Sequence, residues 1–85
     1  MSTIYGYDEF CIFVRQEYDY LKAVDPSILF GQVYFNCLWE FRPNIANKIR
    51  ATEYDPFHKD EVHPSIHVHV KDLWDEMNMQ VLSGD

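Results

Sequence analysis

Glycine, cysteine and basic residues are all scarce in this chain of 85 residues, and each scarcity excludes a class of function. The three glycines are scattered, so no glycine-rich loop is available to cradle a phosphate group. Seven lysines and arginines stand against 14 acids, which gives a formal net charge of −7. Affinity for phosphate backbones comes from basic side chains that displace counterions, so we expect no direct binding of nucleic acid.

The two cysteines, Cys11 and Cys37, form no CxxC pair and no disulfide framework. Both lie in apolar stretches, where a free thiol behaves as a small hydrophobic side chain. A buried, reduced pair is expected, which indicates a reducing compartment. The first residues lack the basic and apolar regions of a signal peptide, and no stretch reaches the roughly 18 apolar residues of a membrane span. We therefore expect a cytoplasmic protein that does not contact a membrane.

Large hydrophobic side chains are abundant in the chain. Apolar residues make up 47% of it and aromatic residues 16%, which argues against disorder. A chain of this length has room for one hydrophobic core, so residues 1–85 form a single small globular domain. The aromatic rings exceed what such a core needs, and some of them are expected at the surface or in an interface.

The spacing of apolar residues predicts an all-α fold, a compact bundle of about four helices. The first helix is amphipathic, with Ile12 as an exception that falls among the polar positions. Asp25 and Pro26 match the N-cap and first position of a second helix, and Pro43 matches the first position of a third. The predicted helices cover residues 8–24, 26–41, 43–51 and 65–78. The predicted inward stripe of the first helix is Phe10, Phe13, Val14, Tyr18, Leu21 and Val24.

The last of these segments has two interpretations. The alternation of Ile66, Val68 and Val70 is typical of a strand, whereas the spacing from Ile66 to Met77 fits one face of a helix. We favour the helix because Pro64 can start it and because no second strand is predicted with which a first could pair.

The second helix is apolar on nearly all sides, so one small core can hardly cover it. Gly31 weakens a helix by about 1 kcal/mol relative to Ala, so we expect it to permit close packing. Either the third and fourth helices cover the apolar excess, or it forms a surface for a partner or for a second copy of the chain. The residues concerned are Ile28, Phe35 and Trp39.

Histidines are clustered between residues 58 and 69. His63 and His67 are spaced so that one face of a helix could present both as metal ligands, and His67 and His69 could share one side of a strand. Structural zinc sites normally have four ligands, commonly including cysteine, and neither cysteine is near in the sequence. We favour surface histidines with helix-capping or packing roles. No cofactor is expected, and His63, His67 and His69 remain only minor metal candidates.

The acids Asp72, Asp75 and Glu76 share one side of the predicted last helix. General acid–base catalysis needs carboxyl groups with separated pKa values in a cleft, whereas these three fit a solvated helix face. No serine lies in a nucleophile-elbow motif, so we do not expect an enzyme. A row of carboxylates could instead contact a protein or imitate the phosphates of a nucleic-acid duplex.

Residues 30–57 contain a pattern formed by Gly31-Gln32, Tyr34-Phe35-Asn36, Arg42-Pro43, Ile49-Arg50 and Thr52 through Asp55-Pro56-Phe57. This pattern resembles one in short, uncharacterised accessory proteins encoded by bacteriophages. The resemblance implies a setting in a bacterial cytoplasm, where such proteins often bind and redirect a host enzyme. It carries over no functional residues, and the His-rich and acidic last third of the chain lies outside it.

The residue patterns predict a non-enzymatic protein-interaction module. The resemblance implies that it is a phage-encoded accessory protein that binds and modulates a host or defence protein. Two alternatives remain open: an acidic mimic that occupies a DNA- or RNA-binding site, and a small zinc-binding domain that uses histidines. A homodimer is compatible with all three. The predicted partner-binding residues are Ile12, Ile28, Phe35, Trp39, Asp72, Asp75 and Glu76.

Overall fold

The computed structural model describes the backbone of residues 6–83 and the side chains of residues 6–77. Over that range the chain forms helices and no strand, which confirms the predicted all-α bundle and makes the last segment a helix that begins at Pro64. The helices are α1 (Tyr7–Val24), α2 (Phe30–Phe41), α3 (Pro43–Ile49) and α4 (Pro64–Ser83). The first and last helices each begin one residue before the predicted position, and α4 continues beyond its predicted end at residue 78.

The predicted start of the second helix at Pro26 is wrong. The amide of Asp25 instead closes the end of α1 by donating to the carbonyl of Leu21 at 2.7 Å. The Asp25 carboxylate accepts hydrogen bonds from the amide and the hydroxyl of Ser27, at 3.1 and 2.6 Å, which form an Asx turn and lower the pKa of that carboxyl. The next helix therefore begins only at Phe30.

The third helix ends at Ile49, earlier than the predicted residue 51. Arg50 leaves the helical conformation, and Ala51 takes a left-handed one with φ 61°. Asp55 holds this turn, because its Oδ2 accepts the Ala51 amide at 2.8 Å and its Oδ1 accepts the Phe57 amide at 3.0 Å.

The core forms around Trp74 of α4, whose ring is fully buried. Phe10 packs against Trp74 with ring centroids 5.0 Å apart and against Tyr34 at 5.4 Å. The Arg42 guanidinium lies over the Trp74 ring, 4.4 Å from its centroid, as a cation–π contact. Val24 was wrongly assigned to the core, since it is 70% exposed. The rest of the predicted stripe, Phe10, Phe13, Val14, Tyr18 and Leu21, is buried or packed against the core.

Gly31 permits a close approach of chain segments, as predicted. A Cβ at this position would lie 1.9 Å from the carbonyl oxygen of Pro56 and 2.5 Å from that of Lys59. The amide of Gly31 donates to the Lys59 carbonyl at 2.9 Å, which satisfies one of the unpaired N–H groups in the first turn of α2. The connection between α3 and α4 is thereby held directly against α2.

Candidate functional site

Trp39 presents an aromatic surface on the outer side of α2. It is 43% exposed, and its ring stacks on that of Phe35 with centroids 6.4 Å apart and planes 22° apart. Phe35 is itself only 8% exposed, because the ring of Phe57 packs edge-on against it at 5.9 Å. The Trp39 ring is therefore supported by a buried ring and does not stand alone on the helix.

The connection between α3 and α4 divides the predicted apolar strip of the second helix. Phe57 covers Phe35. The sequence pattern had left two alternatives open, coverage by the third and fourth helices or a surface for a partner. Ile28 lies in the connection before α2, where it is half-buried against the core. Trp39 is the member of this strip that keeps a large exposed surface. The acidic candidates lie on another helix, α4.

The three predicted acids on α4, Asp72, Asp75 and Glu76, are all exposed. Asp75 forms an ion pair with Lys71 one helical turn earlier, with 2.8 Å between Nζ and Oδ2. An exposed pair at this spacing contributes about 0.3–0.5 kcal/mol, so it matters more for the surface charge than for stability. Because Lys71 balances Asp75, the acids left to attract a basic surface are Asp72 and Glu76.

Ile12 is 60% exposed and lines a groove of about 750 Å³. The groove lies between α1, the start of α2 and the connection that precedes α4, and its lining mixes apolar, acidic and basic side chains. Arg15 lies over the ring of Phe30, with 5.1 Å from its guanidinium carbon to the ring centroid. The volume is within the range of about 300–1,000 Å³ that is typical of small-molecule sites.

His67 lines the same groove and ends a chain of three hydrogen-bonded side chains. The hydroxyls of Tyr34 and Tyr7 are 2.6 Å apart, and the Tyr7 hydroxyl is 2.6 Å from Nδ1 of His67. We assign the bonds as Tyr34 donating to Tyr7 and Tyr7 donating to His67, since this direction gives each buried hydroxyl proton an acceptor. His67 then carries its proton on Nε2. Burial lowers the pKa of His67 and raises the pKa of both tyrosines, so all three groups are neutral at pH 7.

The candidate metal ligands each have a different neighbour. Nδ1 of His63 accepts the amide of Ser65 at 3.1 Å and so caps the first turn of α4. The ring of His69 stacks on Tyr54 with centroids 4.0 Å apart. His67 belongs to the tyrosine chain. Within residues 6–77, no group of three or more His, Cys, Asp or Glu side chains is placed to hold a metal ion.

Both cysteines are free thiols. Cys37 is buried as expected, whereas Cys11 is half-exposed. Burial raises the pKa of Cys37 to about 12, with Glu17 and Glu40 adding to the effect, and burial also raises the pKa of Cys11. Reactive cysteines need an environment that stabilises the thiolate, and these two environments do the opposite.

A second groove, between α1 and α2, was not predicted from the sequence. It encloses about 290 Å³, and Glu17 of α1 and Glu40 of α2 are the charged residues that line it. Glu17 lies four residues from both Phe13 and Leu21, whereas Glu40 continues the polar positions Gln32 and Asn36 of the second helix. The pairing of the two helices was needed to bring the two glutamates to one groove. The other lining residues are Phe13, Leu21, Val33, Asn36 and Cys37.

None of the helices in the described part of the chain has the length and apolarity required to cross a membrane. No family model matches the sequence, and neither a curated protein nor a solved structure matches it.

Proposed function

We propose that this chain is a non-enzymatic interaction module that binds another protein, with Trp39 as its central contact. The observation that carries the proposal is the stacked pair of Trp39 and Phe35 on α2. Tryptophan is enriched among the residues that dominate the binding energy of interfaces. A ring that is already held in place loses little conformational entropy on binding, so more of its burial contributes to affinity.

The charge of the chain supports a basic partner. The formal net charge is −7. Asp72 and Glu76 are exposed on α4, and within residues 6–77 neither forms an ion pair. Complementary charge raises the rate of association and disfavours acidic competitors. The acidic face and Trp39 lie on different helices, so the proposed partner contacts both α2 and α4.

The setting that we propose is a bacterial cytoplasm. The resemblance of residues 30–57 is to short phage-encoded accessory proteins, so the partner is a host or defence protein whose activity changes on binding. The free thiols of Cys11 and Cys37 agree with a reducing compartment.

Affinity capture from bacterial lysate tests the proposal. The tagged chain should retain one stoichiometric protein, and Trp39→Ala should weaken its capture by at least about tenfold. Val24→Ala removes an apolar side chain that is 70% exposed at the end of α1, so it serves as the matched control and should retain the partner. Circular dichroism and urea unfolding check that each variant is folded.

A charge-reversal variant tests the acidic face. Replacement of Asp72, Asp75 and Glu76 by lysine should weaken capture and reduce its dependence on salt. Unchanged capture by both this variant and Trp39→Ala would contradict the proposal. If duplex DNA displaces the partner and only the lysine variant loses it, the acidic nucleic-acid mimic is the better explanation.

A further inference from the structure

The groove between α1 and α2 lies between two helices that run antiparallel. Phe13 of α1 packs against Phe41 near the end of α2, with ring centroids 5.1 Å apart. Tyr18, later in α1, packs against Phe30 at the start of α2, also at 5.1 Å. Two antiparallel helices leave a continuous groove along their line of contact, and a third helix can pack its side chains into such a groove.

The floor of this groove is apolar. Leu21 of α1 and Val33 and Cys37 of α2 line it, and Val33 and Cys37 are 2% and 5% exposed. Its volume of about 290 Å³ is just below the range of about 300–1,000 Å³ that is typical of small-molecule sites. The space suits a few apolar side chains that project from a larger partner better than it suits a separate small ligand.

The charge at this groove is of one sign. Glu17 lines it from α1 and Glu40 lines it from α2, and no basic residue lines it among the side chains of residues 6–77. The negative charge of both carboxylates reaches the floor of the groove. Burial is the largest cause that raises the pKa of the Cys37 thiol, and repulsion from Glu17 and Glu40 raises it further. A negative charge is therefore disfavoured in the groove and a positive charge is favoured.

We propose that the α1–α2 groove is the docking site for a basic amphipathic helix of the partner protein. The partner's apolar stripe rests on Leu21, Val33 and Cys37, and lysine or arginine on its two flanks pairs with Glu17 and Glu40. This inference rests on the proposed function and names the chemistry of the bound segment. Recognition by apolar anchors at helical spacing is the general mode in which proteins bind a helix in a groove.

Labelled helical peptides and the full chain provide the test, with fluorescence anisotropy as the measurement. The probe peptide has about 18 residues, which exceeds the length of about 12–15 residues below which isolated helices are marginal. It carries leucine at helical spacing and lysine on both flanks of the leucine stripe. A matched peptide carries glutamate in place of each lysine. We expect the lysine peptide to bind at least about tenfold more tightly than the glutamate peptide, and its affinity to fall as salt is added.

Two pairs of substitutions of equal charge change locate the site. Glu17→Gln with Glu40→Gln should weaken binding of the lysine peptide by about tenfold and flatten its salt dependence. Asp19→Asn with Glu53→Gln, at exposed positions that do not line the groove, should leave the affinity within about twofold. Chemical shift changes on peptide addition should centre on Leu21 and Val33.

Three results would overturn the inference. Equal weakening by both pairs of substitutions would mean that only the total charge matters. Equal affinity for the lysine and glutamate peptides, or no binding of either, would remove the basic helix as the occupant. Light scattering that shows a dimer dissociated by Glu17→Lys would assign the groove to a second copy of the chain. Capture that depends on Trp39 would leave the proposed function standing in each case, because it is measured without these peptides.

Discussion

The hydroxyl of Tyr7, the first residue of α1, lies 2.6 Å from Nδ1 of His67 in α4, across 60 positions of the sequence. The Tyr34 hydroxyl of α2 joins the same chain at 2.6 Å from Tyr7. One polar chain thus connects three helices next to the apolar core. Buried polar groups destabilise a fold unless each has a partner. These hydrogen bonds form only when the three helices are correctly placed, so they favour one arrangement of α1, α2 and α4.

We expect the free energy of unfolding to fall as the pH is lowered below the ordinary pKa of histidine. Burial holds the pKa of His67 in the folded chain below its ordinary value of 6.5. The unfolded chain therefore takes up a proton first, which favours unfolding. The contribution of neutral His67 to the free energy of unfolding is complete above pH 6.5 and is lost as the pH falls through its folded-state pKa. Urea unfolding at a series of pH values measures the effect.

Carboxylates also titrate at acidic pH, so the contribution of His67 is the difference between the wild type and His67→Gln. Glutamine keeps a hydrogen-bond acceptor for Tyr7 but does not gain a proton. The variant should lose less stability than the wild type between about pH 7 and pH 5. His58→Gln is the matched comparison, because it removes an exposed histidine that is not part of the Tyr34–Tyr7–His67 hydrogen-bonded chain. An identical pH dependence in His67→Gln and the wild type would contradict the prediction.

Tyr7→Phe should destabilise the fold more than Tyr34→Phe. Tyr7 is the central group of the chain, so its loss leaves the buried Tyr34 hydroxyl without an acceptor and His67 Nδ1 without a donor. We expect a cost of about 1–3 kcal/mol for Tyr7→Phe, and a smaller cost for Tyr34→Phe, in which Tyr7 still donates to His67. Urea unfolding of both variants and the double variant measures this. The double variant should cost less than the sum of the two, and additive costs would show that the hydroxyls act independently.

Gly31→Ala should destabilise the chain even though alanine favours a helix by about 1 kcal/mol. The new Cβ would lie 1.9 Å from the carbonyl oxygen of Pro56 and 2.5 Å from that of Lys59. Both are backbone atoms, so neither can rotate away as the end of a side chain could. Overpacking of this kind costs about 1–3 kcal/mol or more, so the net effect is a lower urea midpoint. Asn36→Ala, at an exposed position of the same helix, is the control and should be neutral or slightly stabilising.

Ala51→Gly should stabilise the chain. Ala51 has φ 61°, a left-handed conformation that strains every residue with a Cβ and that glycine adopts freely. The relief of strain exceeds the greater entropy of glycine in the unfolded chain, so we expect a gain of about 0.5–1 kcal/mol. The same substitution at Ala23, exposed within α1, should be destabilising by about 1 kcal/mol. Thermal or urea unfolding of both variants distinguishes the two outcomes.

The number of helices and the identity of their inward faces could be read from the sequence. Helical periodicity is a property of neighbouring residues, so the positions of Phe10 and Val14 on one stripe were sufficient to place both in the core. Ile12 was recognised as an outward residue for the same reason and is 60% exposed. Close packing at Gly31 was predicted from the unfavourable helix propensity of glycine alone.

Helix ends could be predicted less well, because one local pattern has two outcomes. Asp25 followed by Pro26 can cap a helix or form an Asx turn, and the two alternatives use the same carboxylate. The observed turn delays α2 to Phe30, where the Gly31 amide reaches the Lys59 carbonyl. That partner lies in a distant connection, so local rules do not include it.

By itself, the sequence determined the all-α class, the acidic charge and the outward position of Ile12. Each of these depends on composition or on neighbours within a few turns of one helix. Only the tertiary structure decided that Phe57 buries Phe35, and that Glu17 and Glu40 line one groove. These features are contacts between side chains on different elements, and the pairing of elements is set by how their faces pack together in the folded chain.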